Sequence, residues 1–436
     1  MTPALPPPRV TSAAVCLLLV FLVRGCVALA TVPPWQNPDE PQHVLAIWFA
    51  GSSDRSPEAV GRMEGAILSS MVRHDWWRLV GARQPSPPPT RFDQDPELVK
   101  RHFQLPRSDG LYYAMAARIA RGDDPEAILR RTRALSLIAG LGIVLLAWDV
   151  GRMLLGAWSG IGVMALLALH PQVVLVATTA SADAFVGLLS AAMLWAATRS
   201  LDAERPIAWL SLAVMLAALS ALARRLGVTV VPIAAWVVSV CVAVRSRREA
   251  ARLVATLAGL SAIVGALVAW SFGDLVRWYS TEIQALLAQR AEPVGWTAGF
   301  LGLYHSSWIA AGWLRFAPPD VWRSLLAIFT AAAGLGVVGA LVAARSARTR
   351  LAIVVAGGAV LLQLASLLVR QYLAGEGGQG RYLSPVAIPL ALLVWIGVTG
   401  WGPAWWRRVA ACALVSGAML LDAAAWSFVI WPAFSP

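Results

Sequence analysis

Residues 37–43 read Asn-Pro-Asp-Glu-Pro-Gln-His, and their side chains are of the types that transfer protons. Asp39 and Glu40 are adjacent carboxylates, and His43 follows Asp39 by about one turn if the stretch is helical. The stretch begins a few residues after the first long apolar segment ends. Because moving a charge into hydrocarbon is costly, acidic side chains placed beside the bilayer predict either a structural role or chemistry at the membrane surface.

Asp39 also fits the start of a helix. As an N-cap it would form a capping box with Gln42, and Gly51 would end the helix. The pattern predicts a short amphipathic helix along the outer leaflet, with Asp39 and His43 on its polar face. A capping carboxylate needs no catalytic role and is a weaker base, so cap and general base are two open interpretations of Asp39.

The composition places this stretch in a membrane protein. Of 436 residues, 58% are hydrophobic and only 14% are charged, too few for the surface of a soluble protein. Crossing a bilayer takes about 20 apolar residues. We therefore predict an all-α polytopic protein with about eleven transmembrane helices (range roughly 9–13). The apolar runs lie near residues 13–30, 134–150, 158–176, 180–198, 207–223, 226–244, 251–271, 321–343, 351–369, 383–400 and 409–430.

Arginines in the short connections indicate the orientation. They fall on one side of the predicted spans, around Arg152, Arg199, Arg247, Arg348 and Arg407, which predicts a cytoplasmic N-terminus and an extracytoplasmic 37–43 stretch. The net charge of +12 is then explained by topology and contact with anionic membrane lipids, and no nucleic-acid partner is expected. Residues 1–30 also resemble a secretory signal, so their cleavage stays open.

The spans divide the chain into five parts. The long polar loop at 31–133 is of a length that usually carries function, and the segment at 272–320 is rich in aromatic residues. The predicted order is a first transmembrane helix at 1–30, an extracytoplasmic loop with the acidic stretch at 31–133, a transmembrane bundle at 134–271, an extracytoplasmic segment at 272–320, and C-terminal transmembrane helices at 321–436 with a glycine-rich outer loop at 370–382.

Three further motifs follow residues 37–43 along the chain: Gly-Leu-Tyr-Tyr at 110–113, Ser-Ala-Asp-Ala at 181–184 and Gln-Gly-Arg-Tyr-Leu-Ser-Pro at 379–385. In this order the four motifs resemble those of the GT-C superfamily of integral-membrane glycosyltransferases. The likeness is nearest to a bacterial branch of predicted membrane proteins, largely uncharacterised, that is related to the aminoarabinose and O-mannosyl transferases. It covers residues from about 13 to about 400. Residues 108–110 are Ser-Asp-Gly, whereas that branch usually has a His-Pro-Pro-like sequence at this place.

The resemblance implies transfer of a sugar from a polyprenyl-phosphate carrier to a lipid, glycan or protein acceptor, with inversion, at the outer face of the bacterial cytoplasmic (inner) membrane. Asp39 matches the family's catalytic aspartate and is expected to be the general base. Glu40 is grouped with it as a catalytic residue, and its other interpretation is that it orients the motif or assists a metal. Arg381 is expected at the donor phosphate, with Arg370 and Arg225 as further candidates. For those two arginines, as for Arg224, reaching to lipid headgroups is the competing interpretation.

The remaining candidates support this site. Asp183 has helix capping as its alternative role. Asp39 and His43 are two ligands and not a coordination sphere, so we expect no obligatory metal, while a divalent metal stays open. A transporter or flippase, or a non-catalytic subunit of a surface-polysaccharide system, is the alternative function. The supporting residues are His43, Tyr112, Tyr113, Asp183, Gln379 and Tyr382.

Overall fold

The computed structural model describes residues 8–100, 110–271, 296–343, 346–374 and 378–434. Throughout these ranges the regular structure is helical, and the β-type pairing is limited to one isolated bridge between Ala311 and Phe316. The predicted all-α class is confirmed. Eight of the described helices are long and apolar enough to cross a membrane, and one bent helix pair makes a ninth.

The first apolar helix is followed by a compact layer of short helices. The apolar helix is α1 (Pro8–Thr31), and the layer consists of α2 (Glu40–Gly51), α3 (Pro57–Arg73), α4 (Trp76–Val80), α5 (Pro96–Lys100) and α6 (Leu111–Ile119). The start of α3 follows from its sequence, because Ser56 accepts a hydrogen bond from the Ala59 amide at 3.2 Å and Pro57 suits the first turn. Trp35, Trp76 and Trp77 are fully or almost fully buried in this layer.

The position of α2 corrects one sequence prediction. We predicted an amphipathic helix on the outer leaflet, but α2 is buried on several sides, including at Glu40, His43 and Val44. It packs against α6 and against the long helix that follows. The sequence pattern was misleading because neighbouring loop helices cover the polar face of α2. Asp39 does occupy the N-cap position, but its side chain forms no capping hydrogen bond, so the predicted capping box is wrong.

A bundle of long helices follows the layer. Its members are α7 (Pro125–Leu155), α8 (Ala157–Ala168), α9 (Pro171–Ala177), α10 (Asp183–Ser200), α11 (Pro206–Ala223), α12 (Val230–Ala243) and α13 (Arg247–Ser271). Helices α8 and α9 are the bent pair, with an angle of 67°. The bend falls at His170 and Pro171, where proline cannot donate the next helical hydrogen bond. Helix α10 is central, since it packs against both α7 and α11.

The C-terminal part completes the bundle with α14 (Trp296–Trp308), α15 (Asp320–Ala343), α16 (Ala347–Ala374), α17 (Ala387–Thr399), α18 (Ala404–Ala425) and α19 (Trp431–Phe434). A 3₁₀ segment, Gly380–Val386, precedes α17 and packs on α10. Each of the eleven predicted apolar runs coincides with a helix, or with the bent pair, in this architecture. Helices α10 and α13 lie at the two predicted spans that are not among the nine. The domain boundaries stay predictions.

Charges inside the apolar bundle are paired. Arg24 of α1 donates hydrogen bonds to Asp422 of α18 and to the carbonyl oxygen of Ala168. Pairing reduces the cost of placing either charge among apolar helices. This contact explains why an arginine is tolerated in the middle of the first apolar run.

One end of α10 is held by arginines from the connection after α12 and from the first turn of α16. Arg245 donates to the carbonyl oxygens of Ser200 and Leu201, and Arg348 forms an ion pair with Asp202 at 2.6 Å. Because α10 has 18 residues, its two ends lie about 27 Å apart, close to the thickness of a hydrocarbon layer. The side of the membrane that this arginine-rich end faces stays a prediction.

Candidate active site

Asp39 and Arg381 meet although they lie 342 residues apart in the chain. The carboxylate oxygen Oδ2 of Asp39 accepts a hydrogen bond from Nη2 of Arg381 at 2.5 Å, and Nη1 of Arg381 donates to the Pro38 carbonyl oxygen at 3.2 Å. Asp39 has a φ of 66°, a left-handed conformation that aspartate tolerates better than most residues. Its carboxylate therefore pairs with an arginine from the 3₁₀ segment instead of capping α2.

Arg381 is fixed by its own segment. Its side chain is 6% exposed, and its guanidinium carbon lies 5.2 Å from the centroid of the Tyr382 ring. Gly380 allows this segment to approach α14, because a Cβ atom there would lie only 2.2 Å from the Ser307 nitrogen. The amide of Gly380 donates to Ser306 Oγ at 2.7 Å. A glycine before the arginine is thus required by close packing.

Asp183 forms a second ion pair beside the first. It is the first residue of α10 and fully buried, and its Oδ1 accepts a hydrogen bond from Nη1 of Arg224 at 2.6 Å. Its Oδ2 lies 3.7 Å from Nη1 of Arg381. The side chain that accepts from the Asp183 amide is Ser181, at 3.3 Å, so the Asp183 carboxylate is not used as a cap. The interpretation of Arg224 as a lipid-facing side chain is wrong, because Arg224 pairs with Asp183.

Two carboxylates and two guanidiniums therefore alternate at this site, in the order Asp39, Arg381, Asp183 and Arg224. Burial raises the pKa of Asp39, but the positive charge of Arg381, with a smaller contribution from Arg224, outweighs burial and lowers that pKa to about 2. Asp39 is thus ionised at neutral pH. A carboxylate held in this way is a weak base until the charge of Arg381 is directed elsewhere.

His43 and the two tyrosines lie against this cluster. Nδ1 of His43 is 2.9 Å from the Tyr113 hydroxyl oxygen, and the two rings are stacked with centroids 5.9 Å apart. Burial, together with the charge of Arg224, lowers the pKa of His43 to about 3, so the imidazole is neutral. Tyr112 is buried between Tyr113 and Phe185. Burial also raises the pKa of both tyrosines, which keep their protons.

Glu40 lies behind the site in a network that the sequence did not predict. Its two carboxylate oxygens accept hydrogen bonds from Nε and Nη2 of Arg133, each at 2.7 Å, and Oε1 also accepts from the Ala180 amide at 3.1 Å. Arg133 further donates to the carbonyl oxygens of Val32 and Pro33 at 2.8 and 2.9 Å. These contacts favour the orienting interpretation of Glu40, and its catalytic assignment stays a prediction. The sequence indicates Arg133 only indirectly, because a buried Glu40 carboxylate would need a cationic partner.

The remaining predicted residues are Arg370, Gln379 and Arg225. The guanidinium carbon of Arg370 lies 5.0 Å from the Tyr382 ring centroid, so the ring contacts two arginines. Gln379 precedes the 3₁₀ segment as its N-cap residue, without a side-chain capping bond. The backbone of Arg225 begins the 3₁₀ segment Arg225–Thr229, but its side chain lies outside the described part of the structure. The glycine-rich outer loop likewise falls partly outside it.

A cleft opens beside the ion pairs. Arg381 and Asp183 form part of its wall. The turn that contains Ala311 and Phe316 closes one side, and Trp313 Nε1 in that turn donates to the Trp35 carbonyl oxygen at 2.9 Å. The cleft thus has a polar and an apolar side, lined among others by Asn37, Thr179 and Ser181 and by Leu175, Ala310 and Leu314.

A metal centre is not evident in the described part of the chain. No group of three or more His, Cys, Asp or Glu side chains there is placed to hold a metal ion. One oxygen of each carboxylate at the site accepts a hydrogen bond from an arginine, Oδ2 of Asp39 from Arg381 and Oδ1 of Asp183 from Arg224. The expectation of no obligatory metal stays a prediction.

The fold is similar to that of a known membrane enzyme. The archaeal oligosaccharyltransferase AglB from Archaeoglobus fulgidus, determined with an inhibitory peptide and a dolichol-phosphate, superimposes with a TM-score of 0.50 at 11% sequence identity. The alignment covers 97% of this chain and 56% of AglB, so the chain spans a little over half the length of that protein. No protein-family model and no curated protein matches the sequence. The chain is thus a multi-pass helical membrane protein whose fold is similar to that of AglB.

Proposed function

We propose that this protein transfers a sugar from a polyprenyl-phosphate-linked donor to a cell-envelope acceptor at the outer face of a bacterial cytoplasmic membrane. The observation that carries the proposal is the Asp39–Arg381 pair, which joins a carboxylate and a phosphate-binding type of cation beside a cleft that Arg381 lines. The GT-C-like fold supports it, as does the dolichol-phosphate bound by AglB. The acceptor is a lipid, glycan or protein, and membrane lipids surround the spans.

The reaction needs one base and one stabilised leaving group. An acceptor hydroxyl attacks the anomeric carbon of the donor sugar, and Asp39 takes the hydroxyl proton. The bond between that carbon and the phosphate oxygen breaks, and its electron pair stays on the phosphate. Arg381 stabilises the charge that develops there, because a guanidinium offers paired donors to phosphate oxygens. Attack from the face opposite to the phosphate inverts the anomeric carbon.

Donor binding also makes Asp39 a better base in this scheme. Arg381 is shared between the Asp39 carboxylate and the incoming phosphate, so its effect on Asp39 weakens. Burial then dominates and raises the pKa of Asp39. The base is therefore strongest when a donor is present, which limits unproductive proton uptake in the empty site.

The main rival is a transporter or flippase. The break between α8 and α9 favours it, because discontinuous helices form substrate sites in many transporters. Such folds usually repeat the break in a second half, and the helices in the described ranges contain one bent pair of this kind. A non-catalytic subunit of a polysaccharide system is a further rival, and neither rival requires Asp39 as a base.

Mass spectrometry of envelope glycolipids and glycoproteins from a deletion strain tests the proposal. We expect one sugar to be missing from one acceptor, restored by the wild-type gene and not by Asp39→Asn. A missing sugar accompanied by retention of its lipid-linked intermediate on the inner leaflet would instead establish the flippase, and an unchanged set of glycans would contradict the proposal. Restoration of the sugar by Asp39→Asn would contradict the base assignment.

A further inference from the structure

His43 has one ring nitrogen engaged and the other unpaired. The side chain is 3% exposed and Nδ1 bonds to Tyr113, but Nε2 has no hydrogen-bond partner among the residues that the structure describes. Buried polar atoms are nearly always paired, and an exception calls for an explanation such as a bound ligand. Because Asp39 and His43 are one helical turn apart, Nε2 belongs to the same neighbourhood as the proposed base.

The surroundings of His43 are charged, while its own ring is neutral. Arg224, Asp39, Asp183 and Arg381 all act on it electrostatically, with Arg224 first among these charges. Tyr113 keeps its proton and can donate it to Nδ1, which places the ring proton of the neutral imidazole on Nε2. The ring then presents an N–H donor without adding a third positive charge to the two arginines.

We propose that Nε2 of His43 donates a hydrogen bond to a phosphate oxygen of the lipid-linked donor, beside Arg224 and Arg381. This inference rests on the proposed function and adds a substrate-contacting residue to it. A neutral donor held in place by Tyr113 stabilises charge on the leaving phosphate without reorganisation at the moment of reaction. Because the His43 ring is neutral, it also adds no further positive charge beside Asp39.

The alternative is that His43 has only a structural role, in which it links α2 to Tyr113. Two substitutions separate the roles, because the amide of asparagine reaches about as far as Nδ1 and that of glutamine about as far as Nε2. His43→Asn thus retains a partner for Tyr113 and loses the Nε2 donor. His43→Gln does the reverse, so the two variants form a matched pair with opposite expectations.

The test uses the full-length protein in lipid nanodiscs, with polyprenyl phosphate as the probe. We expect the Kd of His43→Gln to stay within about threefold of wild type and that of His43→Asn to rise by about tenfold, as loss of one hydrogen bond to a charged group predicts. Polyprenol, which lacks the phosphate, should not distinguish the variants. Thermal unfolding of each variant establishes that both are folded.

Equal affinity of the two variants, or weaker binding by His43→Gln than by His43→Asn, would overturn the inference. If either variant fails to fold, Tyr113→Phe gives the answer, because freeing Nδ1 should weaken polyprenyl phosphate binding severalfold, whereas unchanged binding would contradict the proposal. Binding is measured without sugar transfer. A correct order of affinities in a protein that transfers no sugar would therefore refute the proposed function and leave the role of His43 standing.

Discussion

At the scale of single residues, the site is neutral overall before any substrate binds. Asp39 is paired with Arg381, and Asp183 with Arg224, with polar atoms 2.5 and 2.6 Å apart. Each charge thereby compensates for the loss of solvent around its partner. A phosphate that enters must compete for an arginine already bound to a carboxylate. Substrate binding and release of the base are consequently the same event in this account.

The Asp39–Arg381 pair predicts a specific dependence of stability on pH. The pKa of Asp39 falls from its ordinary value of 3.8 to about 2 in the folded protein, so the pair stabilises the fold above about pH 4 and loses this contribution as the pH falls through 2. Thermal unfolding of wild type and Asp39→Asn between pH 5 and pH 2 measures it. The difference between their unfolding temperatures should shrink over this range. A difference that stays constant would contradict the lowered pKa.

The sequence identified some of these residues and missed others for a physical reason. Asp39, Asp183 and Arg381 were found because they lie in short motifs that resemble a family. Arg224 and Arg133 lie in no such motif, and an arginine near the end of a span is usually explained by lipid headgroups. Their partners became visible only when helices far apart in sequence were packed together. Long-range pairing of charges is not encoded in local spacing.

At the scale of elements, α2 is held in place by the pair of Glu40 and Arg133. The side chains are 0% and 4% exposed, and together they connect the end of α1, the start of α2, α7 and the Ala180 amide that precedes α10. The Glu40 carboxylate thereby links the residue after Asp39 to the Ala180 amide, three residues before Asp183. A helix was predicted at this position from its start and stop signals, but its burial depended on neighbours that the local pattern does not reveal.

Removing one partner of this buried pair should be costly. Arg133→Gln leaves the Glu40 carboxylate uncompensated, and we expect it to destabilise the protein by about 3–5 kcal/mol. Arg130→Gln is the matched control, because Arg130 lies on the same helix with a side chain that is 66% exposed. Its effect should be within about 0.5 kcal/mol. Denaturation in detergent micelles compares the two variants, and equal losses would show that the Glu40–Arg133 pair does not hold α2.

At the scale of the whole molecule, the ion-paired site and the arginine-rich connections occupy opposite ends of α10. Asp183 begins the helix at the site, and Ser200 ends it beside Arg245. The eleven apolar runs were predictable because only a long apolar segment can cross the hydrocarbon layer of a membrane. Their arrangement was not, since the lipid-facing and protein-facing sides of such helices have similar composition. The kink between α8 and α9 was not predicted either, although Pro171 indicates it.

Cysteine labelling tests the orientation. In a variant without the four native cysteines, Ser53→Cys in the layer of short helices should react with a membrane-impermeant maleimide in intact cells. Ser346→Cys, before α16 and near the arginine-rich end, should react only after lysis. Both serines are exposed, so the side of the membrane on which each lies, and not burial within the protein, decides whether it reacts. The reverse pattern would place the site in the cytoplasm and exclude an outer-face transferase.

The rate of sugar transfer by Asp39→Asn in membrane vesicles from the deletion strain tests the central claim most directly. Asparagine retains the shape of the side chain but cannot accept the proton, and a general base contributes about 10²- to 10⁴-fold, so we predict a loss of that size. Asp54→Asn is the control, because Asp54 has an exposed side chain in the same loop and should transfer at the wild-type rate. Transfer at the wild-type rate by a folded Asp39→Asn protein would contradict the account.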